Sequence, residues 1–169
     1  MAAVTAVAAQ IAIPLQPVPF TLQVLAVILC GLLLGTRVGA LAQAIYVLVG
    51  AVGVPVFSNL TGGLGVILGP TGGYLISYPI AAAVAGLAAS AVATSPRARA
   101  LLAGFLWGCA GLGVIYALGT TWLAVVSHFT PAQAVATGIA PFVAFDLIKV
   151  ALATIVAVAA APAIAPPRT

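Results

Sequence analysis

Apolar residues fill every long stretch of this chain, and what interrupts them is glycine, proline and isolated arginine rather than clustered charge. Hydrophobic residues make up 64% of the 169 and charged ones 4%, too little polar surface to cover a water-soluble globule. The sequence therefore predicts an all-α integral membrane protein with one transmembrane domain, residues 1–169. The formal charge of +4 carries no implication of nucleic-acid binding, because the five basic residues are spread along the chain and form no patch. Cys30 and Cys109 lie in separate apolar runs without His or Cys at ligand spacing, so they read as small buried hydrophobes rather than zinc ligands or a disulfide.

A helical span needs about 20 apolar residues, and six segments can be placed on that basis. The expected spans are residues 2–13, 21–34, 38–54, 73–94, 100–125 and 141–161. Pro14 and Pro17 stop the first, which at about 1.5 Å per residue is short for a bilayer. A signal peptide is the competing reading of that segment, but no Lys or Arg precedes Arg37 to form a basic leader. Gly35, Thr36 and Arg37 are expected to make a tight turn, and SPRAR (95–99) a polar hinge. Residues 55–72, PVFSNLTGGLGVILGPTG, are too rich in Gly and Pro for a continuous helix and read as a structured loop, with re-entry into the membrane as one option. Thr130 as N-cap and Pro131 at the first helical position predict a short interfacial helix ending near Gly138.

Arginine placement orients the spans. With a cytoplasmic N-terminus, Arg37, Arg97, Arg99 and Arg168 all fall on the cytoplasmic side, as the positive-inside bias requires, and both termini are cytoplasmic. The opposite side then collects PLQPVPFTLQ (14–23), the glycine-rich loop and the segment with His128. His128 has no second ligand nearby and reads as a solvated or interfacial side chain. Trp107 and Trp122 read as belt or packing aromatics.

The last span, PFVAFDLIKVALATIVAVAAAPAI, carries the single acidic residue, Asp146, and the single lysine, Lys149. Counted from Pro141, they lie about 7 Å and about 12 Å below the outer surface. Three residues apart, they share one helix face, where hydrocarbon would penalise them by several kcal/mol unless they pair or meet something polar. A self-neutralising pair fastening the helix to its neighbours is one reading. A binding site beneath loops rich in Gly, Pro, Asn and Gln is the other. An intramembrane enzyme would need a nucleophile and base or a metal cluster, and one carboxylate and one histidine far apart do not supply either. A purely structural subunit would explain the spans but not polar outer loops above a buried ion pair.

The ordered set PVPFT (17–21), LGTRVG (34–39), GVPVF (53–57), GPTGGY (69–74) and D-x-x-K (146–149) resembles the BioY family, the biotin-binding S components of energy-coupling factor transporters, over roughly residues 10–155. That resemblance implies a six-helix membrane protein that captures biotin from the outer side. It also implies an EcfT-type transmembrane partner and two ATPase subunits that drive uptake, with biotin as transported ligand and no cofactor. An S component for another vitamin, such as riboflavin or thiamine, is the nearest alternative. The glycines of residues 62–73 do not form a P-loop, since no Lys-Ser/Thr follows, and no ATPase motif occurs in the chain. Energy for uphill transport must then come from a partner or an ion gradient.

By motif match the resemblance carries over Asp146, Lys149 and the 69–74 loop with Thr71, Gly72, Gly73 and Tyr74. Chemistry and location add Asn59, Thr21, Gln23, Tyr46 and, again, Tyr74. Biotin offers two ureido N–H donors, a carbonyl, an apolar thioether ring and a carboxylate, which call for a mostly apolar cavity with a few placed polar groups. Asp146 could accept from the ureido N–H groups and Asn59 could complement the carbonyl or a remaining N–H. Lys149 either keeps Asp146 ionised or meets the ligand carboxylate, and Tyr46 or Tyr74 could stack on the bicyclic ring. Ala2 and Ala6, four apart on the first segment, allow close helix approach, either to the chain's own core or, as similar S components imply, to the transmembrane partner.

Overall fold

The computed structural model describes residues 1–164; Arg168, expected in a cytoplasmic tail, lies outside them. The elements run α1 (Ala2–Gln10), β1 (Ala12–Ile13), β2 (Phe20–Thr21), α2 (Gln23–Ala51), α3 (Leu64–Leu68), α4 (Gly72–Ala85), α5 (Ala89–Thr94), α6 (Arg97–Ser127), α7 (Pro131–Gly138) and α8 (Val143–Ile164). Among the described residues four helices are long and apolar enough to cross a membrane: Gln23–Ala51, Gly72–Thr94, Arg97–Ser127 and Val143–Ala161. The membrane class is thus borne out, while six full-length spans are not.

The difference lies in the N-terminal third. α1 is nine residues, about 14 Å long by helical rise, and ends at Gln10 instead of residue 13. The residues beyond it turn into a two-stranded antiparallel ribbon, Ala12 opposite Thr21 and Ile13 opposite Phe20, because Pro14, Pro17 and Pro19 exclude helix between them. α2 is interrupted at Gly35, whose φ of 77° is open to glycine but strained for other residues. The chain folds back there: Gln23 and Tyr46, at its two ends, are hydrogen-bonded at 2.7 Å, and Gly39 packs against Gly31. The reversal is confined to Gly35, so Thr36 and Arg37, expected in the turn, are already helical.

Elsewhere the breaks between helices are narrower than the sequence predicts. Gly72–Thr94 is one rod with a 3-10 turn at Gly86–Ala88. The expected hinge shrinks to Ser95 and Pro96, since Arg97 and Arg99 belong to the first turns of α6. Residues 55–72 do form a structured loop, with a 3-10 turn at Ser58–Leu60, a bridge between Phe57 and Thr61, and α3. α7 opens on the anticipated cap: the Gln133 backbone N–H donates to Thr130 Oγ1 at 3.3 Å, and the Thr130 N–H donates to Gln133 Oε1 at 2.9 Å. His128 is exposed and ends α6 in the left-handed conformation.

The core runs between α2, α4, α6 and α8, with Ile28, Leu32, Ile115 and Leu123 fully enclosed. Outward faces carry Leu41, Leu48, Leu102, Val125 and Ile155, an apolar exterior suited to lipid. α4 and α6 approach so closely that a Cβ on Gly73 would overlap Trp122 and sit 2.7 Å from the Leu118 carbonyl oxygen. Gly73→Ala is therefore expected to destabilise the detergent-solubilised protein by about 1–3 kcal/mol, the usual penalty for overpacking. A thermal unfolding midpoint equal to that of the parent would mean that the two helices have room to part.

α1 turns Ala2 and Ala6 toward the chain's own core, one of the two roles expected of them, and leaves each partly exposed. Both are half-buried against the core, because buried Thr5 accepts a hydrogen bond from the side-chain amide of buried Gln43 at 2.9 Å and fixes the helix rotation. The stripe left open is Val4, Val7 and Ile11. Gln10 closes the arrangement by donating to the Phe57 carbonyl at 3.0 Å and accepting from the Leu60 N–H at 2.9 Å, so α1 is stapled to the 55–61 loop.

Candidate ligand-binding site

α8 begins at Val143, which puts Asp146 in its first turn, where the helix dipole favours negative charge. Asp146 is 4% exposed and Lys149 is 5% exposed, so both charges are out of solvent and must be satisfied internally. They are. Lys149 Nζ donates to Asp146 Oδ1 at 2.7 Å and to the Thr21 carbonyl at 2.6 Å, and it lies 3.7 Å from the centre of the Phe20 ring. Tyr116, reaching across from α6, donates to the other carboxylate oxygen, Oδ2, at 2.6 Å. The pair thereby joins α8 to α6 and to β2, the strand whose flanking prolines keep it out of a helix.

Beside this ion pair opens a small cavity of about 60 Å³. Asp146, Lys149, Tyr116, Thr21 and Gln23 contribute its polar wall. Aromatic and aliphatic side chains contribute the remainder, among them Phe57, Tyr74, Tyr78, Ile115 and Phe142. A relay braces the polar side: Thr21 Oγ1 donates to Gln23 Oε1 at 2.9 Å, Gln23 Nε2 donates to the Tyr46 hydroxyl at 2.7 Å, and that hydroxyl donates to the Val56 carbonyl at 3.1 Å. The Tyr74 hydroxyl donates to the Gly138 carbonyl at 3.0 Å, which holds α7 against the rim. Lys149 is the single basic side chain on this wall among the described residues, and its ammonium already faces a carboxylate, a carbonyl and an aromatic ring.

Six of the residues expected at the site line the cavity: Asp146, Lys149, Thr21, Gln23, Thr71 and Tyr74. Four stand off it. Tyr46 is buried behind Gln23, stacks on Tyr78 at a centroid distance of 6.4 Å, and acts on the wall through its hydrogen bonds. Gly72 and Gly73 are spent on contacts with Ile67 and Trp122, whose indole N–H donates to the Gly69 carbonyl at 2.9 Å. Asn59 is exposed with a φ of 56°, a left-handed conformation that asparagine tolerates better than most residues, so here it shapes the loop while its neighbour Ser58 reaches the cavity. Tyr116 is a further residue of the wall, one that no motif in the sequence marks. The available signal was a phenol in the middle of an apolar helix, a donor that must find an acceptor away from water, in a chain with one acidic side chain to offer.

A family model described as the BioY family matches residues 1–166. The chain is 46% identical over 159 residues to the biotin transporter BioY of Thermotoga maritima, covering 92% of this chain and 88% of that protein. It is 44% identical over 155 residues to a probable biotin transporter BioY of Pyrococcus horikoshii, with coverage of 92% and 88%. In three dimensions it resembles the crystal structure of the S-component for biotin from an ECF-type ABC transporter, with a TM-score of 0.84 at 24% identity over 94% of this chain and 85% of that one, a likeness of fold.

Proposed function

The chain belongs to the BioY family, and from that premise we propose that it binds biotin in the cavity beside Asp146. It is a membrane-embedded biotin-binding S component and not an enzyme. The observation that carries the siting is the buried carboxylate on a largely apolar cavity wall. Ureido N–H groups are donors in search of an acceptor, and Asp146 supplies a charged one, the stronger kind of hydrogen bond. The tyrosine and phenylalanine rings of the wall suit the thioether ring, with Tyr74 and Tyr78 nearest in character to a stacking surface. Lys149 is engaged with Asp146 at 2.7 Å. With that lysine engaged, the ligand carboxylate is best left at the open mouth, where water solvates it.

In the wider assembly, the residue 1–169 chain acts as one transmembrane domain whose α1, two arms of α2, Gly72–Thr94 rod, α6 and α8 make six membrane segments. Both termini lie in the cytoplasm of a prokaryotic cell, with Arg37, Arg97 and Arg99 on that side and the cavity reached from outside. An EcfT-type transmembrane protein and two ATPase subunits supply the energy. Membrane vesicles carrying the protein are expected to retain labelled biotin, and excess unlabelled biotin should displace it while riboflavin and thiamine do not. Equal displacement by either of those vitamins would reassign the ligand.

A further inference from the structure

We propose that Tyr116 is a positioning residue, which fixes the Asp146 carboxylate in the one orientation that presents acceptors to the cavity; its effect on biotin rests on the site reading above. A carboxylate offers about four lone-pair positions on two oxygens. Here one oxygen is held from within α8 by Lys149 at 2.7 Å, and the other from α6 by Tyr116 at 2.6 Å. Clamped at both ends by groups on different elements, the carboxylate plane cannot turn about its bond to Cβ without breaking one contact. Each oxygen keeps further acceptor capacity on the wall it helps to form. Two ureido N–H donors require such a fixed acceptor, since preorganised hydrogen bonds need no reordering on binding.

Tyr116 is suited to this and to little else in its surroundings. Its hydroxyl makes no other hydrogen bond among the described residues, and its ring also lines the cavity. The phenol donates without carrying charge, so it orients Asp146 without neutralising it or competing with Lys149. Lys149 alone holds Oδ1 from three residues along the same helix, which leaves Oδ2 free to swing.

The test compares Tyr116→Phe with the parent in detergent, by infrared spectroscopy without ligand and by biotin titration. Asp146 is the chain's one acidic side chain, so its antisymmetric carboxylate stretch is identified by its loss in Asp146→Asn. That band is expected to shift in Tyr116→Phe before any ligand is added. Biotin affinity should fall by roughly ten- to a hundred-fold, the range for one hydrogen bond to a charged group. In an Asp146→Asn background the same change should cost less than about two-fold, because its target is gone. An unmoved band, or equal fold losses in both backgrounds, would overturn the proposal. If the parent itself fails to bind biotin, the ligand reading falls and the band alone decides whether Tyr116 positions Asp146.

Discussion

Asp146→Asn is expected to weaken biotin binding by about 10²- to 10³-fold while the protein remains extractable and monodisperse. Asparagine keeps the shape of the side chain but halves its acceptor capacity and removes the charge, so charge-assisted contacts worth about 1.5–3 kcal/mol each are lost together. The amide must also place a donor next to Lys149 or Tyr116, both of which donate to the carboxylate in the parent. Lys149 keeps the Thr21 carbonyl and the Phe20 ring, and these limit the damage to folding. Calorimetric or fluorescence titration of the two proteins side by side reads the difference. Affinity within about three-fold of the parent would remove Asp146 from the ligand's contacts.

Lys149→Met is expected to harm the protein itself. The substitution leaves a buried carboxylate with Tyr116 as its one side-chain donor, and breaking a buried ion pair from one side typically costs about 3–5 kcal/mol. It also frees the Thr21 carbonyl, so the 18–21 segment loses its bond to α8 and the cavity loses one edge. Thermal unfolding in detergent should show a large drop for Lys149→Met and substantial recovery in the Asp146→Asn, Lys149→Met double variant, where no charge is left uncompensated. Biotin binding should stay lost in both. A Lys149→Met variant as stable as the parent would mean that water or lipid satisfies Asp146 without its partner.

What the sequence revealed tracks how anomalous each residue was in its surroundings. Asp146 and Lys149 were legible because charge inside hydrocarbon demands compensation, and their spacing on α8 made each the other's first partner. The reversal at Gly35 and the cap at Thr130 were legible because each has a local chemical signature. Tyr116 was not, since thirty residues separate it from Asp146 and a tyrosine in a membrane helix is unremarkable until its hydroxyl is seen to point inward. Asn59 stands off the cavity, and an amide in a glycine-rich loop serves a left-handed backbone as readily as a ligand. Small residues four apart, as at Ala2 and Ala6, mark a helix face but not what it meets; here the Thr5–Gln43 hydrogen bond turns that face toward the core and leaves both residues partly exposed. The two-residue strands β1 and β2 are too short for any alternation to register, so the ribbon that brings Thr21 to Lys149 could be seen in three dimensions alone.

The most direct measurement is calorimetric titration of the purified protein in detergent with biotin, with riboflavin and thiamine as controls. One-to-one saturable binding of biotin, with no heat from the other two vitamins and with the heat abolished or much weakened in Asp146→Asn, is the predicted result. A folded parent protein that gives no heat with biotin at any temperature tried, or whose biotin binding is indifferent to Asp146, would contradict the placement of the ligand in this cavity.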